Sequence, residues 1–131
     1  MERKLSTIVA MDVVGFSKMM AENEEGTLKL LTERREVIDS VIKDYEGRIF
    51  NTAGDSVIAE FSSPVKAAEC AVQIQNKNQA LNEYDNDQKT MSFRVGINMG
   101  DVMVTKDNLY GDTINIAARL EASAVPDGIC I

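Results

Sequence analysis

Two aspartates stand where apolar chain should continue. Asp12 interrupts the run IVAMDVVGFSKMM at residues 8–20, and Asp55 sits at the mouth of AGDSVIAEF at residues 53–61. A carboxylate in such a setting is costly unless a cation or hydrogen-bond donors face it. Asp12 could cap a helix and Asp55 could fill a turn, but those explanations account for either one better than for both. Two such positions in one small domain point to a shared cation. Two carboxylates at neighbouring strand ends can hold two divalent ions about 4 Å apart, an arrangement suited to phosphoryl chemistry. The segment VVGFS, residues 13–17, follows Asp12 directly. It offers backbone N–H groups at the start of a helical turn, and Gly15 lets the backbone approach closely, so Val13, Gly15, Phe16 and Ser17 form a candidate phosphate cradle.

A second constellation lies in GDTINIAARLE, residues 111–121. Asn115 and Arg119 are four residues apart and share a helix face. An amide and a guanidinium on one face can orient a sugar and stabilise charge on a phosphorus-bound oxygen. Taken alone, the pair would be read as a solvated face. With no histidine in the chain, a His-based triad or a His-ligated zinc site is excluded. Oxygen ligands favour magnesium, manganese or calcium.

The elements that must position these residues follow from the hydrophobic pattern. Residues 5–11 read as a first strand, broken by Gly15, with Ser17 as a cap for a short helical turn. A helical period over residues 25–45 places Leu28, Leu31, Ile38, Val41, Ile42 and Tyr45 on one stripe, with Arg34 largely off it, and Gly47 ends the helix. Strands at 48–52 and 56–61 flank a tight hairpin at Gly54-Asp55. Pro64 opens a second long helix, whose buried face is expected at Val65, Ala68, Ala71, Val72 and Leu81. A polar loop spans 82–90. Residues 91–99 alternate, with Met91, Phe93, Val95, Ile97 and Met99 on one face, and 102–105 continues as another strand. Asp112 is read as the cap of the last helix, and a turn at 126–128 precedes a strand cut off at Ile131. The order β-α-β-β-α-β with additions predicts an α+β, ferredoxin-like split βαβ sheet with helices on one face. In that arrangement the first and third strands are neighbours, which would bring Asp12 and Asp55 to one end of the sheet.

Composition narrows the class. The chain has 131 residues and a net charge of −7, a size for one domain and a sign that argues against nucleic-acid or membrane-surface binding. No run approaches the ~18 apolar residues of a membrane span, and no signal peptide is apparent. Cys70 and Cys130 form no disulfide framework. The expected setting is the reducing cytoplasm.

Four segments appear in order: IVAMDVVGFS, NTAGDSVIAEF, FRVGINMGDV and YGDTINIAARLE. Together they resemble the catalytic domain of class III adenylate/guanylate cyclases over nearly the whole chain. The resemblance implies a lyase of intracellular signalling. In it the 3′-hydroxyl of a nucleoside triphosphate attacks the α-phosphate, giving the cyclic nucleotide and pyrophosphate. It implies Asp12 and Asp55 as ligands of two Mg2+ or Mn2+ ions, Asn115 as the ribose-orienting residue and Arg119 as the transition-state arginine. It also implies a homodimer, with metal aspartates and the Asn/Arg pair coming from opposite subunits. Adenylate cyclases carry Lys four residues before the second metal Asp and Asp or Thr three before the Gly of YGD; this chain has Asn51 and Asn108. An amide can both donate and accept toward a base edge, and a one-residue slip of the loop would bring in Asp107. ATP is the expected substrate. Residues 1–131 are expected to form a single cyclase domain that lacks a C-terminal part, including a triphosphate lysine. A catalytically degenerate nucleotide-binding or regulatory module is the alternative.

Overall fold

The structure, a computed structural model, describes residues 2–84 and 90–131. Its elements are β1 (Glu2–Val13), α1 (Phe16–Glu22), α2 (Glu24–Asp44), β2 (Arg48–Ala53), β3 (Ser56–Phe61), α3 (Pro64–Tyr84), β4 (Phe93–Val104), β5 (Leu109–Tyr110), α4 (Asp112–Ser123) and β6 (Ile129–Cys130). The strands form one sheet in the order β2-β3-β1-β4-β5, with β6 parallel to β4. The α+β split arrangement is as expected, and β1 pairs antiparallel with β3, its third-strand neighbour. The expected loop at 82–90 falls mostly on residues 85–89, which lie outside the described ones.

β1 carries the fold. It pairs with β4 over its full length, from Glu2 opposite Val104 to Val13 opposite Phe93. Residues 6–11 are all buried, without alternation. That pattern needs cover on both faces. Val9, Met11 and Val13 pack with α2 and α3 in the larger core, whereas Ile8 and Ala10 pack with Ala117 of α4 in a smaller one. The expectation of helices on one face thus holds for α2 and α3, and α4 crosses the other face. Gly96 makes this possible. A Cβ there would sit inside the contact distance of the Glu121 amide nitrogen and the Ala117 carbonyl oxygen, so only glycine lets the α4 backbone lie on the strand.

Several local expectations are corrected. Residues 93–104 are one strand, not two. Met99 is exposed, because that end of the sheet projects beyond the helices. Gly15, not Ser17, precedes α1 as its cap, with φ +66°, and Gly111, not Asp112, caps α4. Asp112 sits inside the first turn, where its charge still suits the helix dipole. α2 ends in a Schellman-type turn in which the Gly47 amide donates to the Ile42 carbonyl at 2.8 Å. Glu46, not Gly47, takes the left-handed position; Gly47 is required because a Cβ would strike the Phe61 ring.

The two helix stripes also differ. Leu28 is exposed and Arg34 is buried, bonded to Asn82 at 2.7 Å and to Asn78. In α3, Val65, Val72 and Leu81 are exposed, and the buried residues include Ala67, Cys70, Ala71, Ile74, Gln75 and Asn78. Gln75 Nε2 donates to the Phe93 and Gly128 carbonyls at 2.9 and 3.0 Å, and Asn78 Nδ2 donates to the Met91 carbonyl at 2.7 Å. α3 therefore faces the sheet with small residues and amides that satisfy backbone carbonyls in and beside β4, a need hydropathy does not register. Burial pushes the Cys70 thiol up to about 12, which leaves it an inert core group.

Candidate active site

Asp12 is the last residue but one of β1, and Asp55 follows Gly54 in the β2–β3 hairpin. Because β3 lies beside β1, the hairpin turn folds over the end of β1. The Val13 amide donates to Asp55 Oδ2 at 2.9 Å, so the two carboxylates meet at one end of the sheet. Beyond them the chain enters α1 through Gly15. No side chain caps that helix and no acidic residue lies in its first turn. The first amides of α1 therefore face outward as donors. Gly15, Phe16 and Ser17 stand at the start of α1. Val13 does not contribute its N–H, which is committed to Asp55, and its side chain is buried.

Two residues at this site escape the sequence reading. Arg94, opposite Asp12 in the β1–β4 register, places its Nη2 3.0 Å and its Nε 3.2 Å from the two Asp12 oxygens. Its Nη1 donates to the Ala122 carbonyl at 3.1 Å, and Nη2 lies 3.5 Å from Glu121 Oε2. The hydrogen bonds from Arg94 to Asp12, aided by the nearby charges of Glu121 and Asp55, hold the guanidinium above its ordinary pKa against the effect of burial. Glu121, on the buried face of α4, is pushed up to about 7. Burial is the main cause, followed by a hydrogen bond shared with Asp12 and by the charges of Asp12 and Asp55; Arg94 opposes them. The available signal was register: Arg94 shares the Asp12 face of the sheet.

The Glu121 shift has a measurable consequence. A carboxyl whose folded pKa is raised adds stability that is full below its unfolded pKa, near 4.5, and lost as pH rises through about 7. Glu121→Gln should therefore match wild type near pH 4.5 and exceed it at pH 8, by on the order of 2 kcal/mol. Urea melts in chelator at the two pH values check this; a constant difference would show that Glu121 does not titrate between them.

The remaining candidates occupy a second location. Asn51, Asn108 and Asn115 line one cavity of about 330 Å3 with Phe50, Ile58 and Ile114. A register shift in β2 between Ile49 and Asn51 turns Asn51 toward it. The Leu109 amide donates to Asn108 Oδ1 at 2.9 Å, which leaves the Asn108 amide nitrogen as its free donor. Asp107 does not line the cavity. Arg119 is exposed at the surface of α4, 3.9 Å from Asp112. Among the described residues, no hydrogen bond or ion pair links Asn115 or Arg119 to Asp12 or Asp55. The two groups of candidate residues thus lie apart on one chain.

The donor set suits a hard cation. Asp12 and Asp55 offer carboxylate oxygens, although among the described residues no group of three or more His, Cys, Asp or Glu could hold a metal. Mg2+ is commonly bound through one or two carboxylates, with substrate phosphates and water completing its shell, so the pair fits.

Comparisons with known proteins identify the family. Residues 2–131 match the family model described as the adenylate and guanylate cyclase catalytic domain. A Rhizobium meliloti (strain 1021) protein provisionally named adenylate cyclase 3 is 42% identical over 98% of this chain and 22% of its own length. An adenylate cyclase of Streptomyces coelicolor is 29% identical over 99% of this chain and 32% of its own. This chain thus spans a third or less of either relative. The crystal structure of an adenylate/guanylate cyclase/hydrolase from Silicibacter pomeroyi superposes with TM-score 0.89 at 38% identity, over 98% of this chain and 75% of that one. With its split sheet, its paired carboxylates and these relatives, the chain belongs to the class III adenylate/guanylate cyclase catalytic domain family.

Proposed function

We propose that this domain closes ATP to 3′,5′-cyclic AMP with release of pyrophosphate, as a homodimer with composite sites, in intracellular signalling. The observation that carries the reading is the hydrogen bond from the Val13 amide to Asp55, which brings the second carboxylate to the first at the mouth of an uncapped helix. Asp12 and Asp55 would hold two Mg2+ or Mn2+ ions. Such ions, when bound, neutralise phosphate charge and lower the pKa of an attacking hydroxyl. The amides at Gly15, Phe16 and Ser17 bind phosphate oxygens. Asn115 orients the ribose, and Arg119 stabilises charge that builds on the α-phosphate as the 3′-oxygen attacks.

The separation of the two half-sites supports the dimer. Asn115 and Arg119 are exposed, off the buried face of α4, and open to a partner's carboxylates. The names of the Rhizobium and Streptomyces relatives support ATP. Two unpaired cysteines fit a reducing cytoplasm, and among the described residues no helix is long and apolar enough to cross a membrane. A non-catalytic nucleotide-binding module is the second reading. It draws on Arg94, an internal cation already on Asp12. Incubating the full-length protein with each ribonucleoside triphosphate and Mg2+ or Mn2+ separates the two: ATP should give cyclic AMP. Nucleotide binding without any cyclic product would favour the module.

The cavity makes a second expectation. Asn108 offers a donor and Asn51 an uncharged amide, so discrimination between adenine and guanine should be modest. Asn51→Lys with Asn108→Asp should raise the ATP/GTP ratio of kcat/KM by about 10- to 100-fold, the worth of one good bidentate contact at ~1–3 kcal/mol. An unchanged ratio would mean that these amides do not face the base.

A further inference from the structure

α4 is fastened to β4 at three levels. Near its start, Thr113 Oγ1 donates to the Asp101 carbonyl at 2.7 Å, and Asn98 Nδ2 donates to the Thr113 carbonyl at 3.1 Å. In the middle, Gly96 lets the backbone of Ala117 and Glu121 rest on the strand. At its end, Arg94 holds the Ala122 carbonyl at 3.1 Å and approaches Glu121 at 3.5 Å. The first two fastenings involve neutral groups that serve only the fold. The third is different, because the same guanidinium grips both oxygens of Asp12.

That shared grip ties a cation ligand to the helix that carries Asn115 and Arg119. A guanidinium and a divalent ion carry the same sign, and the attraction of each for one carboxylate is weakened by the other. A cation on Asp12 therefore weakens the hold of Arg94 on that carboxylate. The other carboxyl within reach of Arg94 is Glu121, 3.5 Å away and buried on α4. The strength and geometry of the third fastening thus depend on what Asp12 holds.

We propose that Arg94 and Glu121 are positioning residues that pass the cation occupancy of Asp12 to α4. The inference rests on the reading of Asp12 as a cation ligand. In a dimer with composite sites, Asp12 of one chain serves one site while Asn115 and Arg119 of that chain serve the other. The Asp12–Arg94–Glu121 link then runs between the two sites, and loading one site biases the arrangement of catalytic groups in its neighbour.

The test uses the full-length protein and Mn2+ alone, without nucleotide, so that no ligand touches Asn115 or Arg119. Calorimetry reports cation binding, and hydrogen exchange read by mass spectrometry reports the α4 amides. Saturating Mn2+ should change exchange in the second half of wild-type α4 by about threefold or more, the scale of a local opening equilibrium. Glu121→Gln removes the ionisable carboxyl and keeps the shape; it should still bind Mn2+ while the α4 response falls by at least half. Arg94→Lys keeps the charge but cannot bridge Asp12, Glu121 and Ala122 together, and should lose the response in the same way. It carries the test alone if circular dichroism shows Glu121→Gln unfolded. A purely structural role would alter baseline exchange and leave the Mn2+ response intact. An equal response in the variants, or none in wild type despite bound Mn2+, overturns the proposal. Absence of Mn2+ binding in wild type removes the cation reading of Asp12 itself, and this inference with it.

Discussion

Asp55→Asn should abolish cyclic nucleotide formation and leave the fold in place. Asp55 lies in a partly exposed hairpin, and among the described residues its hydrogen-bond partner is the Val13 amide, 2.9 Å from Oδ2. An asparagine oxygen can accept the same bond, so β1 and the hairpin stay joined. The charge is what disappears. With it goes half of the anionic ligand set for the cations. Metal ions in such sites supply several kcal/mol of transition-state stabilisation, so kcat/KM should fall by about a thousandfold or more. Mn2+ affinity should fall in parallel, with the circular dichroism spectrum and urea midpoint close to wild type. Asp12→Asn is a less clean variant, because it also strips Arg94 of its principal anion in a half-buried setting and should cost stability. Asp55→Asn retaining more than a tenth of wild-type turnover, or binding Mn2+ as wild type does, would remove Asp55 from the site.

Much of this site was legible because its logic is local. A carboxylate breaking an apolar strand and a Gly-Asp hairpin are both short-range signals, and strand order then carried one to the other. The turn into α1 was legible for the same reason, since Gly15 marks both the end of a strand and the start of a helix. What the pattern missed lies across the sheet. Arg94 looked like the solvated member of an alternating strand, yet its register partner is Asp12. Glu121 looked like one more charge on a helix, yet the helix lays it on the sheet behind Asp12.

The placement of α4 was itself written in two features that need tertiary interpretation. The unbroken apolar run of residues 8–11 has no solvent face, which calls for cover on both sides. Gly96, on the Asp12 side of β4, removes the side chain that would hold a helix away. Alternation scoring counts that glycine as merely non-apolar. The α3 stripe failed for a related reason. Hydropathy selected Val65, Val72 and Leu81, whereas the sheet takes Cys70, Ala71, Gln75 and Asn78. Close helix–sheet approach rewards small residues, and the backbone carbonyls of Phe93 and, just before β4, Met91 reward amides.

Two inactive variants should rescue each other. In the composite reading, an Asp55→Asn homodimer lacks a carboxylate ligand at both sites, and an Arg119→Ala homodimer lacks the guanidinium at both. Neither change threatens the fold: Asp55 keeps its bond through the amide, and Arg119 is 71% exposed with only a 3.9 Å approach to Asp112. In a mixed dimer, one site takes its carboxylates from the Asp55→Asn chain and its arginine from the Arg119→Ala chain, and carries both lesions. The other site takes carboxylates from the Arg119→Ala chain and the arginine from the Asp55→Asn chain, and carries neither. Random exchange makes about half of the dimers mixed, each with one intact site, so activity should return to about a quarter of wild type if the sites act independently. Coupling through Arg94 and Glu121 would shift that fraction, because the Asp55→Asn chain presents an altered cation site beside its own α4. Rescue well below a quarter in the mixed population, restored toward it by adding Glu121→Gln to both chains, would join the two ideas. No rescue at all, with mixed dimers demonstrated by differential tags and wild type active in the same assay, would mean that each chain builds its site alone.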